Sequence, residues 1–408
     1  MKMLSSYIDP GTGSMLFTIL IGVLGTGAYL LRNVFSRLKF LFSGGRDKAL
    51  EQGRVPFVIF SDSKRYWNVF KPICDEFEAR GVPLEYLTAS EDDPALAEPY
   101  KHVKCLFLGE GNRAFAKLNF VKADIVLATT PGLDVLQWKR SPDVKFYVHV
   151  MHSVNDPAEY RMFGLDYYDA VIFSGEYQVE QRRQLDIMRG LPEKELPLLG
   201  QPYFDVMKAR LEREGFPHTE GKSVLLAPTW GGSGILARFG KEILEALLQT
   251  GYHIIVRPHP QSFASEKELL DKLMREFPES ERLEWNRDND NFEVLRRSDI
   301  MISDFSGVIF DYCLVFGRPV LYADTDFDKS PYDAAWLDEE LWTFKVLPRL
   351  GAPLKQEDFP RMKEKLDGLL NDPLYEEQLE AVREECWCCR GDSARLIADY
   401  LITKQAEV

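Results

Sequence analysis

Cysteine is sparse in this chain, six in 408 residues, and three of the six crowd together as Cys386, Cys388 and Cys389. No histidine follows that cluster and no second cysteine pair stands near it, so the ligand spacing of a zinc site is missing. The six read instead as buried thiols of a reduced, intracellular chain. Positive charge is short as well. The net charge is −14, which argues against nucleic acid as a main partner, because a phosphate backbone is held by a basic face. Charge is absent altogether from one stretch, Ser14 to Leu31. What remains has a globular balance, 45% hydrophobic and 28% charged, and is long enough for two domains plus an appendage.

The uncharged stretch is expected to be a membrane anchor. Eighteen helical residues reach ~27 Å, near the hydrocarbon thickness of a bilayer. Arg32, Arg37 and Lys39 follow at once and only Lys2 precedes, so the positive-inside rule places everything after Leu31 in the cytoplasm. A cleaved signal peptide needs its positive charge before the apolar run, which this sequence does not offer. Val34 to Phe42 is amphipathic and basic and suits the inner leaflet. The first 50 residues balance at +4, which leaves −18 for the rest. The expectation is a single-pass protein of the inner (cytoplasmic) membrane. Residues 1–45 would form the anchor, with its helix at about 14–31, and the basic segment behind it.

After a polar, glycine-containing linker, short apolar runs alternate with helical stretches. Pro56–Phe60, Leu84–Leu87, Cys105–Gly109, Ile125–Thr129, Lys145–Met151 and Ala170–Phe173 read as strands, with helices over Tyr66–Arg80 and Asn112–Leu118. The pattern restarts at Ser223–Ala227. It runs through a helix (Ile235–Gln249), a strand (His253–Val256), a helix (Ser265–Phe277), a strand ending at Ile302, a helix (Ser306–Phe316) and the strand Pro319–Tyr322. Buried strands alternating with helices imply parallel, doubly wound sheets. The fold class is α/β, with two facing Rossmann-type domains at 55–200 and 201–385, a hinge near Leu199–Pro202 and a closing helix in 386–408. Such a pair puts a ligand cleft between the carboxyl ends of its two sheets.

Four segments fall at those strand ends. The first runs from Met151 through His152 to Asp156. The second is Ala227-Pro228-Thr229-Trp230-Gly231-Gly232-Ser233-Gly234. The third is Arg257-Pro258-His259-Pro260, and the fourth is Ser303-Asp304-Phe305-Ser306-Gly307, leading through Val308, Ile309 and Phe310 to Asp311. Glycines permit close backbone approach, hydroxyls donate to phosphate, and Arg257 and His259 can neutralise it. Free N–H groups at a strand-to-helix turn favour an anion at the same point. Each segment also has a plain structural reading: a flexible turn, a rigid proline turn, a satisfied histidine, a helix cap. Their convergence on strand carboxyl ends favours a ligand site.

With those segments in hand, the chain resembles the CDP-glycerol:poly(glycerophosphate) glycerophosphotransferases of teichoic acid synthesis, over about residues 55–401. The matching stretches, in order, are Ala227–Trp230, Arg257–Pro260, Ser303–Asp311, Arg318–Tyr322 with Asp324 to Asp328, and Gly391–Ile397. The first half departs from the pattern: the family has His-Gly where this chain has His152-Ser153. Phe305 and Gly307 stand for the family's Tyr and Ser. The resemblance implies a GT-B fold and an enzyme that moves glycerol phosphate, or a similar polyol phosphate, from CDP-glycerol to a lipid-linked or polymer acceptor, releasing CMP. It implies catalytic roles for His152 as base and His259 at the diphosphate. It implies donor binding by Pro228, Thr229, Gly231, Gly232, Ser233, Arg257, Ser303, Asp304, Ser306, Gly307 and Asp311, and no metal or other cofactor. Asp326-Phe327-Asp328 mimics a metal-binding pair and reads as structural or substrate-facing. The same fold also hosts UDP- or GDP-sugar transferases of cell-envelope polysaccharide synthesis. A non-catalytic nucleotide-binding membrane scaffold is a further alternative. An epimerase is disfavoured by the apolar Val308-Ile309-Phe310.

Overall fold

The structure is a computed structural model that describes residues 53–408 apart from 136, 219–220, 289, 324–326 and 373. The expected anchor over Ser14–Leu31 and the basic segment after it lie outside the described residues, as do Asp324 and Asp326. Among the described residues no helix is long and apolar enough to cross a membrane.

Two six-stranded sheets carry the chain. The first contains β1 (Val55–Ser61), β2 (Leu84–Thr88), β3 (Val103–Phe107), β4 (Ala123–Ala128), β5 (Val144–Val150) and β6 (Ala170–Ile172), in the order β3-β2-β1-β4-β5-β6. The second contains β7 (Ser223–Leu226), β8 (His253–Val256), β9 (Leu283–Trp285), β10 (Ile300–Ser303), β11 (Val320–Ala323) and β12 (Gly351–Leu354), in the order β12-β11-β10-β7-β8-β9. Read from its other edge, the second order repeats the first. Every pairing is parallel, with Phe57 opposite Ile125 in one sheet and Met301 opposite Leu225 in the other. The central strands are buried on both faces, which is why they read as unbroken apolar runs. Each order reverses between two central strands, β1 and β4 or β10 and β7, and at those points the crossovers diverge and leave a crevice.

Three elements of the second half depart from expectation. The helix expected over Ser306–Phe316 is three α-helical residues, Val308–Phe310, followed by a π-helical turn, Asp311–Val315. The two edge strands β9 and β12 were not anticipated from the sequence pattern.

The last helix, Ser393–Glu407, returns to the first sheet and buries Ile397, Ala398 and Leu401 beside the helix Trp67–Ala79. The cysteine-rich turn makes this return. Cys388 N–H donates to Ser174 O at 3.0 Å, and Ser393 N–H donates to Asp205 at 3.1 Å. At the hinge, Gly200 has φ +90°, and a Cβ there would meet Cys388 O at 2.6 Å. Only glycine permits both the turn and the close crossing.

The halves also exchange buried carboxylates. Asp156, after β5, accepts from Trp342 N–H at 3.1 Å and Thr343 N–H at 2.7 Å, capping the helix Trp342–Leu350 of the second half. Asp333, after β11, accepts from Phe163 N–H at 2.7 Å and from Arg189 Nη2 at 2.5 Å in the first half. Arg189 also meets Asp166, which is shared with the fully buried Arg182. The Tyr177 and Trp342 rings stack across the same seam, 4.1 Å apart. Nearby, Gly307 presses on the segment after His152. A Cβ on Gly307 would lie 2.9 Å from Asn155 Oδ1 and 3.3 Å from Ser153 Oγ.

Two expectations follow for stability. Asp333→Ala leaves Arg189 short of a partner inside the seam and is expected to cost about 3–5 kcal/mol in urea unfolding, as for other broken buried pairs. Gly307→Ser is expected to cost about 1–3 kcal/mol through overpacking. The double change Ser153→Gly with Gly307→Ser should recover part of that loss, and equal unfolding midpoints for the single and double variants would show that the pair does not compete for space.

Candidate active site

The first half contributes from the carboxyl ends of β1, β4 and β5. His152, half-buried just past β5, has its Nδ1 within 2.9 Å of Thr129 Oγ1 and 3.1 Å of Tyr160 OH. The Tyr66 ring packs on it at 4.9 Å. Tyr160 OH continues to Nε2 of the fully buried His149 at 3.3 Å. Hydroxyls donate or accept with equal ease, so His152 is supported in either tautomer. When Nδ1–H donates to a hydroxyl oxygen, the Nε2 lone pair is free to take a proton. Burial, helped by the Arg65 charge, lowers the His152 pKa to about 4, so the imidazole is neutral at pH 7. Asp62 lies past β1. Burial raises its pKa, against the lowering pull of the Arg65 charge and the Thr130 hydroxyl. Asp62 Oδ1 and Thr130 Oγ1 are both buried at the ends of β1 and β4.

The second half contributes from β7, β8 and β10. His259 Nδ1 accepts the Gln261 backbone N–H at 3.1 Å, which leaves the proton of the neutral ring on Nε2. Burial, then the charges of Arg65 and Arg257, lower its pKa to about 4. His259 is therefore a neutral Nε2–H donor. Trp230, partly exposed, faces it at 6.4 Å. At the end of β10 the N–H groups of Ser306, Gly307 and Val308 find no acceptor among the described residues, while those of Ile309 and Phe310 turn back to Ser306 O and Gly307 O. Three free donors in sequence suit phosphate oxygens.

Of the other residues singled out in the sequence, Asp304, Ser303, Arg257 and Asp311 lie beneath this surface. Asp304 is buried and accepts from Thr229 N–H at 2.9 Å, Ile235 N–H at 3.0 Å and Phe305 N–H at 2.8 Å. It thus ties down both ends of the Thr229–Gly234 loop, which contains Gly231, Gly232 and Ser233, with Pro228 leading into it. Ser303 Oγ donates to Ala227 O at 2.6 Å, locking β10 to the end of β7 rather than facing a ligand. Arg257 spends its guanidinium on Asn291 Oδ1 (3.0 and 2.6 Å), Asn286 Oδ1 and Asp288 O (2.7 Å). Of the two roles open to it, binding or bracing, the geometry gives the second. Asp311 lies within the π-helical turn, where burial raises its pKa to about 7 against a lowering contribution from Asn291. Ser306 and Gly307 are partly exposed, and Gly307 abuts Ser153 and Asn155.

Several polar residues of the first half were missed. Asp62, Thr129, Thr130 and Tyr160 line the His152 site, and Arg65 and Tyr66 flank it. The signal was present, because Ser61-Asp62 and Thr129-Thr130 end the apolar runs of β1 and β4, as His152 ends that of β5.

Comparison with known proteins separates fold from chemistry. The structure resembles that of the wall teichoic acid polymerase TagF, in a variant soaked with CDPG, at a TM-score of 0.58 and 17% identity over 95% of this chain and 98% of that one. It also resembles UDP-GlcNAc 2-epimerase from Neisseria meningitidis, bound to UDP-GlcNAc, at 0.55 and 13% over 86% and 100%. At such identities the likeness shows the GT-B-like arrangement of two parallel α/β domains and does not choose between the two activities. No curated protein sequence matches the chain. Residues 167–335 match the family CDP-glycerol:poly(glycerophosphate) glycerophosphotransferase. That span contains the Thr229 loop, His259 and the Ser306 turn; His152 lies just before it. Over that span, which carries the β7, β8 and β10 contributions to the cleft, the chain is similar to the CDP-glycerol glycerophosphotransferases.

Proposed function

We propose that the protein transfers glycerol phosphate, or a closely similar polyol phosphate, from its CDP-activated form to a hydroxyl of a lipid-linked or polymeric acceptor, releasing CMP. The observation that most supports this reading is the run of free N–H groups at Ser306–Val308, packed at Gly307 against the Ser153–Asn155 segment that follows His152, within the family-matched span that also holds His259. The diphosphate would lie against those N–H groups and the His259 Nε2–H. The acceptor hydroxyl attacks the β-phosphorus, and the bond from that phosphorus to the bridging oxygen breaks. CMP departs with the electron pair, and the hydroxyl proton passes to His152 Nε2. An anchor over Ser14–Leu31 would hold the enzyme on the cytoplasmic face of the membrane and raise its effective concentration toward a membrane-bound acceptor.

Transfer of labelled glycerol phosphate from CDP-glycerol tests the reading. His152→Ala is expected to lower kcat by about 10²–10⁴-fold, the usual worth of a general base. His259→Ala should lower it by about 10²–10³-fold, as for a lost oxyanion donor. Normal turnover in both variants would overturn the assignment. So would thermal stabilisation by UDP-sugars with none by CDP-glycerol or CDP-ribitol.

A pH profile adds a second check. His152 is held at a pKa of about 4 because its imidazolium is desolvated and repelled by Arg65. The acidic limb of kcat/KM, which reports the free enzyme, is therefore expected near pH 4, and not near the usual histidine value of about 6.5. A bound diphosphate adds negative charge and raises that pKa, so the limb of kcat should lie at higher pH than the limb of kcat/KM.

A further inference from the structure

A phosphoryl group in transfer spreads charge over its equatorial oxygens, and stabilising that charge is most of the catalysis. The cleft described so far offers few cations for it. Both histidines are held neutral by burial. Arg257 is committed to Asn286, Asn291 and Asp288. Lys64, at the mouth, is paired with Asp92.

Arg65 is placed differently. It stands in the short turn Lys64–Tyr66 directly after β1, at the crevice where the first sheet reverses its order. The next residue, Tyr66, lays its ring on His152, which fixes the turn as a wall of the first-half site. The Arg65 side chain is exposed. Among the described residues it forms no ion pair, and its side-chain hydrogen bonding is limited to Nε–H donating to Ser63 Oγ at 3.2 Å. Both Nη groups are thus left to form a fork, the geometry that suits two oxygens of one phosphate. The Arg65 charge depresses the pKa of His152 in one half and of His259 in the other, so its influence reaches both halves of the cleft.

We propose that Arg65 is a catalytic residue, a guanidinium supplied by the half opposite the donor loops to bind the phosphoryl group of a nucleoside-diphosphate donor as it passes between His152 and His259. Arg65 keeps its protons throughout. It hydrogen-bonds the oxygens of the phosphorus under attack, while the proton moves from acceptor hydroxyl to His152 and the electron pair leaves with CMP. This assignment rests on the transferase reading above.

The test compares the full chain with Arg65→Gln and Arg65→Lys, using CDP-glycerol as donor. Arg65→Gln is expected to lower kcat by about 10²–10³-fold with an unchanged melting temperature, and Arg65→Lys to recover part of the loss. The pH profile supplies a readout that a bracing role would not move. His152 is faced by Arg65, Tyr66 and Asp62 from the β1 side and by Thr129, Tyr160 and His149 from β4 and β5. Removing the one cation among these should move the acidic limb of kcat/KM to higher pH. Full activity of Arg65→Gln, with transfer by the unaltered protein, would overturn the Arg65 assignment alone. So would a loss confined to the KM of the acceptor, which would put the guanidinium on the acceptor's own phosphates. No transfer by the unaltered protein from any CDP-polyol would overturn the transferase reading and this assignment together.

Discussion

Asp156 and Asp333 hold the cleft in register, because each leaves its own half to satisfy N–H groups of the other. A helix start or turn buried at a domain seam has unpaired donors that no water can reach, and leaving them so is costly. Here Asp156 meets the donors of Trp342 and Thr343, and Asp333 meets that of Phe163. The exchange makes closure of the seam a condition for satisfying both halves. It also reaches the site. The helix Glu176–Arg189 sends Arg189 to Asp333, Gln181 to Asp156 at 2.6 Å, and Gln178 to Asn155 O at 3.0 Å. One helix thus braces the segment that follows His152 and grips the second half at the same time.

The same constraint explains a residue type that looks like a departure from pattern. Gly307 stands where the resembling family has a serine, and Ser153 where it has a glycine. In the structure these two positions face each other across the seam, with Asn155 also against Gly307. Side-chain volume absent on one side is present on the other. The glycine is therefore a packing requirement of this chain's closed seam and takes nothing from the run of free N–H groups beside it.

Much of the fold was legible because parallel strands buried on both faces must be apolar throughout. β1, β4 and β7 could hardly be read otherwise. β9 and β12 escaped for the opposite reason. Each is an edge strand with a single neighbour, so Leu283-Glu284-Trp285 tolerates a central charge, and Gly351-Ala352-Pro353-Leu354 tolerates a proline whose missing N–H no partner needs. At the site, sequence located the strand ends but could not sort ligands from supports. Asp304 and Arg257 look like phosphate contacts as letters. Their roles depend on partners distant in the chain, Thr229 N–H for one and Asn286 and Asn291 for the other. The supports of His152 were missed because Thr129 and Tyr160 belong to different loops that only the fold brings together.

The two histidines show how much of the chemistry is settled by what stands behind each ring. A backbone N–H has one role, and at Gln261 it forces His259 Nδ1 to accept, so His259 is confined to donating from Nε2. A hydroxyl has two roles, and Thr129 and Tyr160 leave His152 free to exchange tautomers. Only the second arrangement permits a base that takes a proton and later releases it, because the hydrogen on Nδ1 must have somewhere to point while Nε2 is empty. The first arrangement suits a ligand that stays anionic through the reaction and needs a fixed donor. Both rings are neutral for the same reason, burial. Their different second partners, not their pKa values, therefore distinguish the two rings: the one that follows β5 can take up and release a proton, and the one that follows β8 can offer a fixed donor to an anion.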